Sequence, residues 1–269
     1  MARVQKKNDR PRRKVVIIIV DGQSDENALS VALAEFFEEK YGQETIVLFA
    51  QRINDDGTKG GDITSLYGVN PETIEKVLNY TTIMPCIRSN NLMPKYVSEI
   101  VHIIDSDGAF IPDSAVIYQE SPDGQRHHMY TETCILTNDV AGIIKRNHLK
   151  QENIRALLKY QKSGFPIRNY HDTGRKKAPT TKAIVVPYTI FYFSCNLDHF
   201  INNNPNLDYS LKVQFADVFG RKYGNSLESF KRYILQHNGR VDMEYEESWD
   251  YIQQDFNSLR QITNINLLF

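Results

Sequence analysis

The chain has 269 residues, of which 41% are hydrophobic, and its formal net charge is −1. This length suits one large domain or two small ones, with enough apolar residues to bury a core. The near-neutral charge excludes a polycation that binds nucleic acid without discrimination, and no apolar run approaches the roughly 20 residues that a membrane span requires.

The first half of the chain predicts alternating strands and helices. Residues 1–13 are polar and basic, so we expect a disordered tail and neither a secretory signal nor an anchor. Residues 14–20 (KVVIIIV) are typical of a central strand buried on both faces, and Ser24 is a predicted N-cap for the helix that follows. Further elements complete this half: strands over 45–50 and 99–104, a loop over 54–61 and a helix over 71–80. This order favours a mainly parallel α/β sheet flanked by helices.

Two helices and a loop are predicted in the middle of the chain. Asn138 or Asp139 is positioned to cap a helix over 140–145, and a second helix is expected over 153–161. Residues 165–182 are polar and basic, which favours a loop on the protein surface.

The last third of the chain predicts one more strand and then mainly helices. Residues 183–193 have a strand composition, and Pro187 favours an edge position or a bend. From residue 208 the periodicity is mainly helical. We therefore expect three regions, which are a basic tail over 1–13, an α/β domain over 14–150, and a strand with a helical C-terminal region over 151–269.

Acidic residues directly follow two of the predicted strands. Asp21 comes after the first strand, Asp105 after the third, and Asp107 lies two residues further on, before Gly108. Because ligands of open α/β sheets bind at the carboxyl ends of the strands, we expect these three carboxylates to meet at one edge. Their repulsion would raise pKa values, and a hard cation such as Mg²⁺ would relieve it. Each aspartate alone also suits a strand-end turn, but the joint pattern favours a metal site.

Two segments carry a resemblance to the Toprim family. VVIIIVDGQSDENAL resembles the first Toprim motif, in which a hydrophobic strand precedes Glu-Gly and a second acidic residue follows four positions after the first. IVHIIDSDG resembles the second motif, a hydrophobic strand followed by Asp-x-Asp. The resemblance covers roughly residues 14–150 and is greatest to the nucleases of the OLD and abortive-infection types. It implies a Toprim-like α/β domain.

The resemblance also implies Mg²⁺-dependent phosphodiester hydrolysis, with Mn²⁺ as an alternative ion. It gives Asp105, Asp107 and Asp21 as catalytic metal ligands and adds Asp25, which matches the second acidic position of the first motif and lies in the first turn of a helix. The chain departs from the family at Asp21, where Glu is usual, so this carboxylate is one methylene shorter. Basic residues that could contact phosphate, or simply form a solvated loop, are Arg175, Lys176, Lys177 and Lys182.

The segment from Ser194 to His199 suggests a second kind of chemistry. Ser194 or Cys195 could act as a nucleophile with His199 as the base. The spacing matches no nucleophile elbow, however, and a cysteine after an aromatic strand is usually part of a core. We therefore prefer a structural interpretation in which Asn196 caps a helix.

Two further features, a pair of adjacent histidines and Trp249, each allow a functional and a structural interpretation. His127 and His128 are adjacent, which is a poor spacing for two ligands of one metal, so a solvated turn is expected. Trp249 could stack on a nucleobase, but packing among C-terminal helices is preferred.

Three functions follow from these motifs. The first is a nuclease acting on DNA or RNA in bacterial antiviral defence, where small Toprim proteins are often found. The second is a catalytically inactive module that binds nucleic acid or has a regulatory role. The third is a nuclease toxin that is active only with a partner protein of a defence system. Three scattered cysteines predict a reduced, cytoplasmic protein without a membrane partner, and an oligomer is left open.

Overall fold

The computed structural model describes residues 14–121, 127–171, 178–179, 182–238 and 243–269. Its strands are β1 (Val15–Ile19), β2 (Ile46–Ala50), β3 (Val97–Asp105), β4 (Val116–Tyr118), β5 (His128–Tyr130), β6 (Ile135–Thr137), β7 (Phe165–Ile167), β8 (Tyr170–His171), β9 (Ala178–Pro179), β10 (Ile184–Val186) and β11 (Tyr188–Phe193). Its α-helices are α1 (Gln23–Tyr41), α2 (Ile74–Leu78), α3 (Met84–Ser89), α4 (Val140–Leu158), α5 (Tyr160–Ser163), α6 (Leu197–Asn202), α7 (Tyr209–Lys222), α8 (Leu227–His237) and α9 (Tyr245–Ile252). A π-helical turn, Asn79–Ile83, joins α2 to α3, and short 3₁₀ turns cover Pro94–Tyr96, Asp113–Ala115, Asn257–Leu259 and Ile265–Leu268.

Four parallel strands form the main sheet in the order β11–β3–β1–β2. All five residues of β1 are buried, because side chains of this central strand alternate between two cores. Ile17 packs in the core on one face and Ile18 in the core on the other. The predicted mixed α/β fold, with a parallel sheet flanked by helices, is confirmed.

Helices cover both faces of this sheet. One core includes side chains of α2, α3, α4 and α9, and the other includes side chains of α1, α6, α7 and α8. Helix α7 lies against α1, and Gly220 permits the close approach, since a Cβ there would lie 2.3 Å from the carbonyl oxygen of Asn27. The helical character predicted for the C-terminal region is therefore confirmed.

A small three-stranded sheet lies between β3 and α4 in the chain. Its order is β4–β6–β5, with β4 and β6 parallel and β5 antiparallel to β6. A third apolar core, which includes Ile135, Ile143 and Leu259, joins this sheet to α4 and to the C-terminal region. Two short antiparallel pairs, β7 with β10 and β8 with β9, complete the described strands.

Several predicted element boundaries were wrong for identifiable reasons. Ser24 is not the N-cap of α1, because Gly22 occupies that position and its N–H donates to the carboxylate of Asp25. The helices predicted over 140–145 and 153–161 are joined, because residues 140–158 form the single helix α4 and residues 160–161 begin α5.

Other local predictions agree with the structure. Asp139 caps α4 by accepting a hydrogen bond from the Gly142 N–H. Pro187 separates β10 from β11, and β11 is an edge strand of the main sheet. The loop predicted over 165–182 is only partly correct, because strand β7 begins it.

The bounds of the three predicted regions can be compared with the helices and strands of the structure. Residues 1–13 lie outside the described ranges, the boundary after residue 150 falls inside α4, and β11 of the C-terminal region pairs with β3. The division into domains stays a prediction. Within the described ranges, no helix combines the length and the apolar composition needed to cross a bilayer.

Candidate functional site at the carboxyl ends of β1 and β3

The two central strands place the predicted acidic residues at one edge of the sheet. Asp105 is the last residue of β3, and Asp21 lies just beyond β1. Asp107 follows β3 in a tight turn, in which Asp107 and Gly108 both have positive φ values of 51° and 64°. An aspartate in this left-handed conformation is uncommon and is often found at functional sites. Asp107 is near enough to raise the pKa of both Asp21 and Asp105, and Asp21 raises the pKa of Asp105.

A fourth carboxylate, that of Asp62, reaches this edge from the loop after β2. The Gly61 N–H donates to the carbonyl oxygen of Asp21 over 2.7 Å, which fixes the loop against the end of β1. A side chain at Gly60 would bring its Cβ to 3.1 Å from the same carbonyl oxygen, at a φ of 106° that favours glycine. No sequence motif indicated Asp62, although its position in the loop after the carboxyl end of a strand was a usable signal.

A fully buried lysine of α4, Lys150, lies among these carboxylates. Its Nζ is 2.6 Å from Oδ2 of Asp107 and 2.8 Å from Oδ2 of Asp62. Burial by itself would lower the pKa of Lys150, but the neighbouring carboxylates outweigh it and raise the pKa. Lys150 is therefore charged at neutral pH, and nothing in its sequence context indicated this role.

Two further side chains contact Asp107. The Arg146 guanidinium donates to the carbonyl oxygen of Asp107 over 2.8 Å, and the Tyr130 hydroxyl donates to its Oδ1 over 3.1 Å. Burial opposes ionisation of Asp107, but the charges of Lys150 and Arg146 hold its pKa well below the usual range. Asp107 is thus ionised, paired and fixed in position.

The carboxylates of Asp21, Asp25 and Asp105 are in the opposite situation. Burial, followed by repulsion from neighbouring carboxylates, raises the pKa of Asp21 and of Asp105 well above the ordinary value. Burial likewise raises the pKa of Asp25 to about 7, although the Gly22 N–H donates to it. Asp105 accepts a hydrogen bond from the Leu197 N–H over 2.9 Å. Ionisation of these three carboxyl groups is therefore disfavoured, because the neighbouring positive charge is too small to compensate it.

The acidic edge opens to solvent through a cavity of about 410 Å³. Its lining includes Asp105, Asp107, His128, Tyr130 and Lys212. The Lys212 ammonium is 2.8 Å from Oδ2 of Asp198, in an ion pair that stands near the cluster. A ligand with negative charge would therefore meet carboxylates and cationic side chains together.

The donor chemistry at this edge fits a hard divalent cation. Carboxylate oxygens are the side-chain ligands that Mg²⁺ prefers, and a dication would offset the excess negative charge at Asp21 and Asp105. In the conformation described, however, no group of three or more His, Cys, Asp or Glu side chains is arranged to enclose an ion, as far as the described ranges extend. Binding would require small side-chain movements of these partly exposed carboxylates.

Of the four basic residues predicted to contact phosphate, the described part of the chain includes one. Arg175, Lys176 and Lys177 lie outside the described residues, and Lys182 is an exposed residue shortly before β10. Among the described residues, the cationic side chains at the acidic edge include Lys150, Arg146 and Lys212.

The segment from Ser194 to His199 has a structural role. The Ser194 hydroxyl donates to the carbonyl oxygen of Asn257 over 2.6 Å, and burial raises the pKa of the Cys195 thiol, which disfavours the nucleophilic thiolate. The preferred interpretation of Asn196 is confirmed, because its side chain accepts from the His199 N–H and caps α6.

The structure describes both Trp249 and His128, for which two interpretations were open. Trp249 is buried and its ring packs edge-on against Tyr192, so packing is confirmed, although the partner belongs to strand β11 and not to a C-terminal helix. His128 is exposed, as expected, but it belongs to strand β5 and borders the acidic edge.

Comparisons with family models, with curated proteins and with solved structures found no match to this chain. The chemical interpretation of the acidic edge therefore depends on its own residues and on the two sequence motifs that end β1 and β3.

Proposed function

We propose that the chain is a Toprim-like nuclease that hydrolyses phosphodiester bonds in nucleic acid with Mg²⁺ or Mn²⁺. Asp21, Asp105 and Asp107 would hold the ion, assisted by Asp25. The observation that carries the proposal is the position of Asp21, Asp105 and Asp107 together at the carboxyl ends of β1 and β3, where the pKa values of Asp21 and Asp105 are raised. A cation with a bound phosphate group suits such a site better than an unpaired cluster of carboxylates does.

The chain's own residues provide the remaining parts of the reaction. When bound, Mg²⁺ supplies Lewis acidity towards a phosphate oxygen. Lys150 and Arg146 would offset the negative charge that grows on the phosphate as water attacks. Asp21 would complete the metal shell or accept a proton from the attacking water.

The test is cleavage of single-stranded and duplex DNA and RNA, with Mg²⁺ or Mn²⁺ and with a chelator as the blank. We expect Asp105→Asn to lower the cleavage rate by at least about 100-fold, because it removes a charge at the metal position. The matched control is Asp113→Asn, which changes an exposed aspartate that pairs with His148 away from the cluster. Equal cleavage by wild type and Asp105→Asn would refute the proposal.

An inactive module is a second candidate, and one observation favours it. Lys150 already neutralises Asp62 and Asp107 with a fixed ammonium group, as a protein that had lost its metal would require. Thermal unfolding with added Mg²⁺ separates the two, since an ion at about 100 times its dissociation constant stabilises a protein by about 2.7 kcal/mol. We expect that stabilisation in wild type and its loss in Asp105→Asn, and its absence in both would favour the module. Activity that requires a partner protein stays a prediction of the sequence.

A further inference from the structure

A groove of about 580 Å³ runs beside the acidic edge, along α4. Its lining includes Tyr67 from the loop after β2, Ile143, Lys145 and Arg146 from α4, and His128 from β5. This volume is in the range of protein pockets that hold small organic ligands, and it is large enough for a nucleotide. The groove thus combines an aromatic ring, an apolar floor and two permanent positive charges.

Tyr67 is displayed at the rim of the groove by a well-held turn. Its side chain is 89% exposed, and the ammonium of Lys145 lies 6.0 Å from the centre of its ring. The buried amide of Asn153 donates to the carbonyl oxygens of Thr64 and Val69, which flank Tyr67 in the chain, over 2.9 and 3.3 Å. The ring is therefore presented to solvent by a backbone that is fixed to α4.

The groove is continuous with the acidic edge. Arg146 lines the groove and donates to the backbone carbonyl of Asp107, and His128 lines both the groove and the cavity that Asp105 and Asp107 border. A chain of phosphates could therefore reach the carboxylates while one of its bases lies in the groove.

We infer that Tyr67 stacks on an unpaired nucleobase and that the substrate is single-stranded nucleic acid, an inference that rests on the proposed function. An exposed ring with a neighbouring lysine is the arrangement by which proteins bind single strands, because every base has a face to stack and every linkage has a phosphate to contact. Bases in a duplex are already stacked and paired, and removing one from the helix costs free energy. Lys145 and Arg146 would contact the phosphates on either side of the stacked base.

The experiment measures binding by fluorescence anisotropy in Ca²⁺, with labelled oligothymidylate, labelled oligouridylate and a labelled DNA duplex. We expect wild type to prefer a single strand, with the two oligonucleotides showing whether DNA or RNA is favoured. Tyr67→Ala should weaken single-strand binding by about tenfold, and Tyr67→Phe should restore it, because stacking needs the ring and not the hydroxyl. Tyr118→Ala is the matched control, since this tyrosine is exposed on β4 and lines neither the groove nor the cavity.

The outcomes separate this inference from the proposed function. Unchanged single-strand binding by Tyr67→Ala, equal losses for single strand and duplex, or a wild type that binds no single strand would overturn the inference. Metal-dependent cleavage by wild type alongside any of these results would leave the proposed function intact. Tyr67-dependent binding of a single strand without cleavage would support the stacking role of Tyr67 and contradict the proposed nuclease activity.

Discussion

The two ends of strand β3 each carry a buried or partly buried carboxylate, and the protein treats them differently. Glu99 at one end is 7% exposed, and it accepts hydrogen bonds from the Lys40 ammonium over 2.9 Å and from the Tyr41 hydroxyl over 2.6 Å. Asp105 at the other end accepts from the Leu197 N–H, and among the described residues no lysine or arginine forms an ion pair with it.

This difference shows which carboxylates are structural and which retain unbalanced charge. Glu99 has local donors that satisfy it, so it needs no ligand. Asp105 faces Asp21, Asp25 and Asp107, and its pKa is raised by burial and then by these neighbours. A site that a ligand completes is expected to have such an imbalance before the ligand binds.

The largest effect should come from Lys150→Met, which removes the cation that balances Asp62 and Asp107. We expect a loss of about 3–5 kcal/mol of unfolding free energy, because two buried carboxylates lose their partner. Urea denaturation at pH 8 without divalent cations measures it.

Lys40→Met is the control for that measurement at the other end of β3, since the Lys40 side chain is 36% exposed and Glu99 keeps Tyr41. A smaller loss is expected, of about 1 kcal/mol or less. Equal losses for the two variants would contradict the distinction between the two ends of the strand.

An intermediate effect concerns His102, which lies between the two ends of β3 and is fully buried, with Nδ1 2.8 Å from the Tyr188 hydroxyl. Burial, opposed by the charge of Asp62, lowers the pKa of His102 to about 4. The unfolded chain takes up this proton near pH 6.5, whereas the folded chain does not, so stability is lost as pH falls from about 6.5 towards 4.

The measurement is the unfolding free energy of wild type minus that of His102→Gln across this pH range, because the difference cancels the titration of the acidic cluster if the sites are independent. It should fall by about 3 kcal/mol between pH 7 and pH 4. A difference that does not change with pH would show that His102 is not held neutral by the fold.

A small effect, comparable to that of Lys40→Met, is expected from Tyr41→Phe, which removes one neutral donor from Glu99 while Lys40 stays in place. The cost should be about 1 kcal/mol, which is the usual value of one hydrogen bond. Urea denaturation measures it, with Tyr118→Phe on an exposed strand residue as the control. If Mg²⁺ stabilises the protein, it should stabilise Tyr41→Phe and wild type equally. An unequal stabilisation would show that the two ends of β3 are energetically coupled.

The sequence predicted the part of the site that follows from local pattern. Runs of β-branched residues predicted the central strands β1 and β3, and the aspartates that follow each strand were therefore expected at one edge. It did not predict Lys150, because its helix was interpreted as two separate segments and residue 150 lay in neither segment and in no motif.

The sequence by itself determined the hydrophobic runs that form the central strands, the acidic turns that follow them and the cap of α6 by Asn196. All three depend on neighbours in the chain. Only the tertiary structure decided which charges meet. Asp62, Lys150 and Arg146 come from a loop and a helix that are distant from Asp107 in sequence, and their pairing depends on how α4 and the loop after β2 pack across the sheet. Local pattern contains no record of that packing, since burial and Coulomb interaction depend on distances in space.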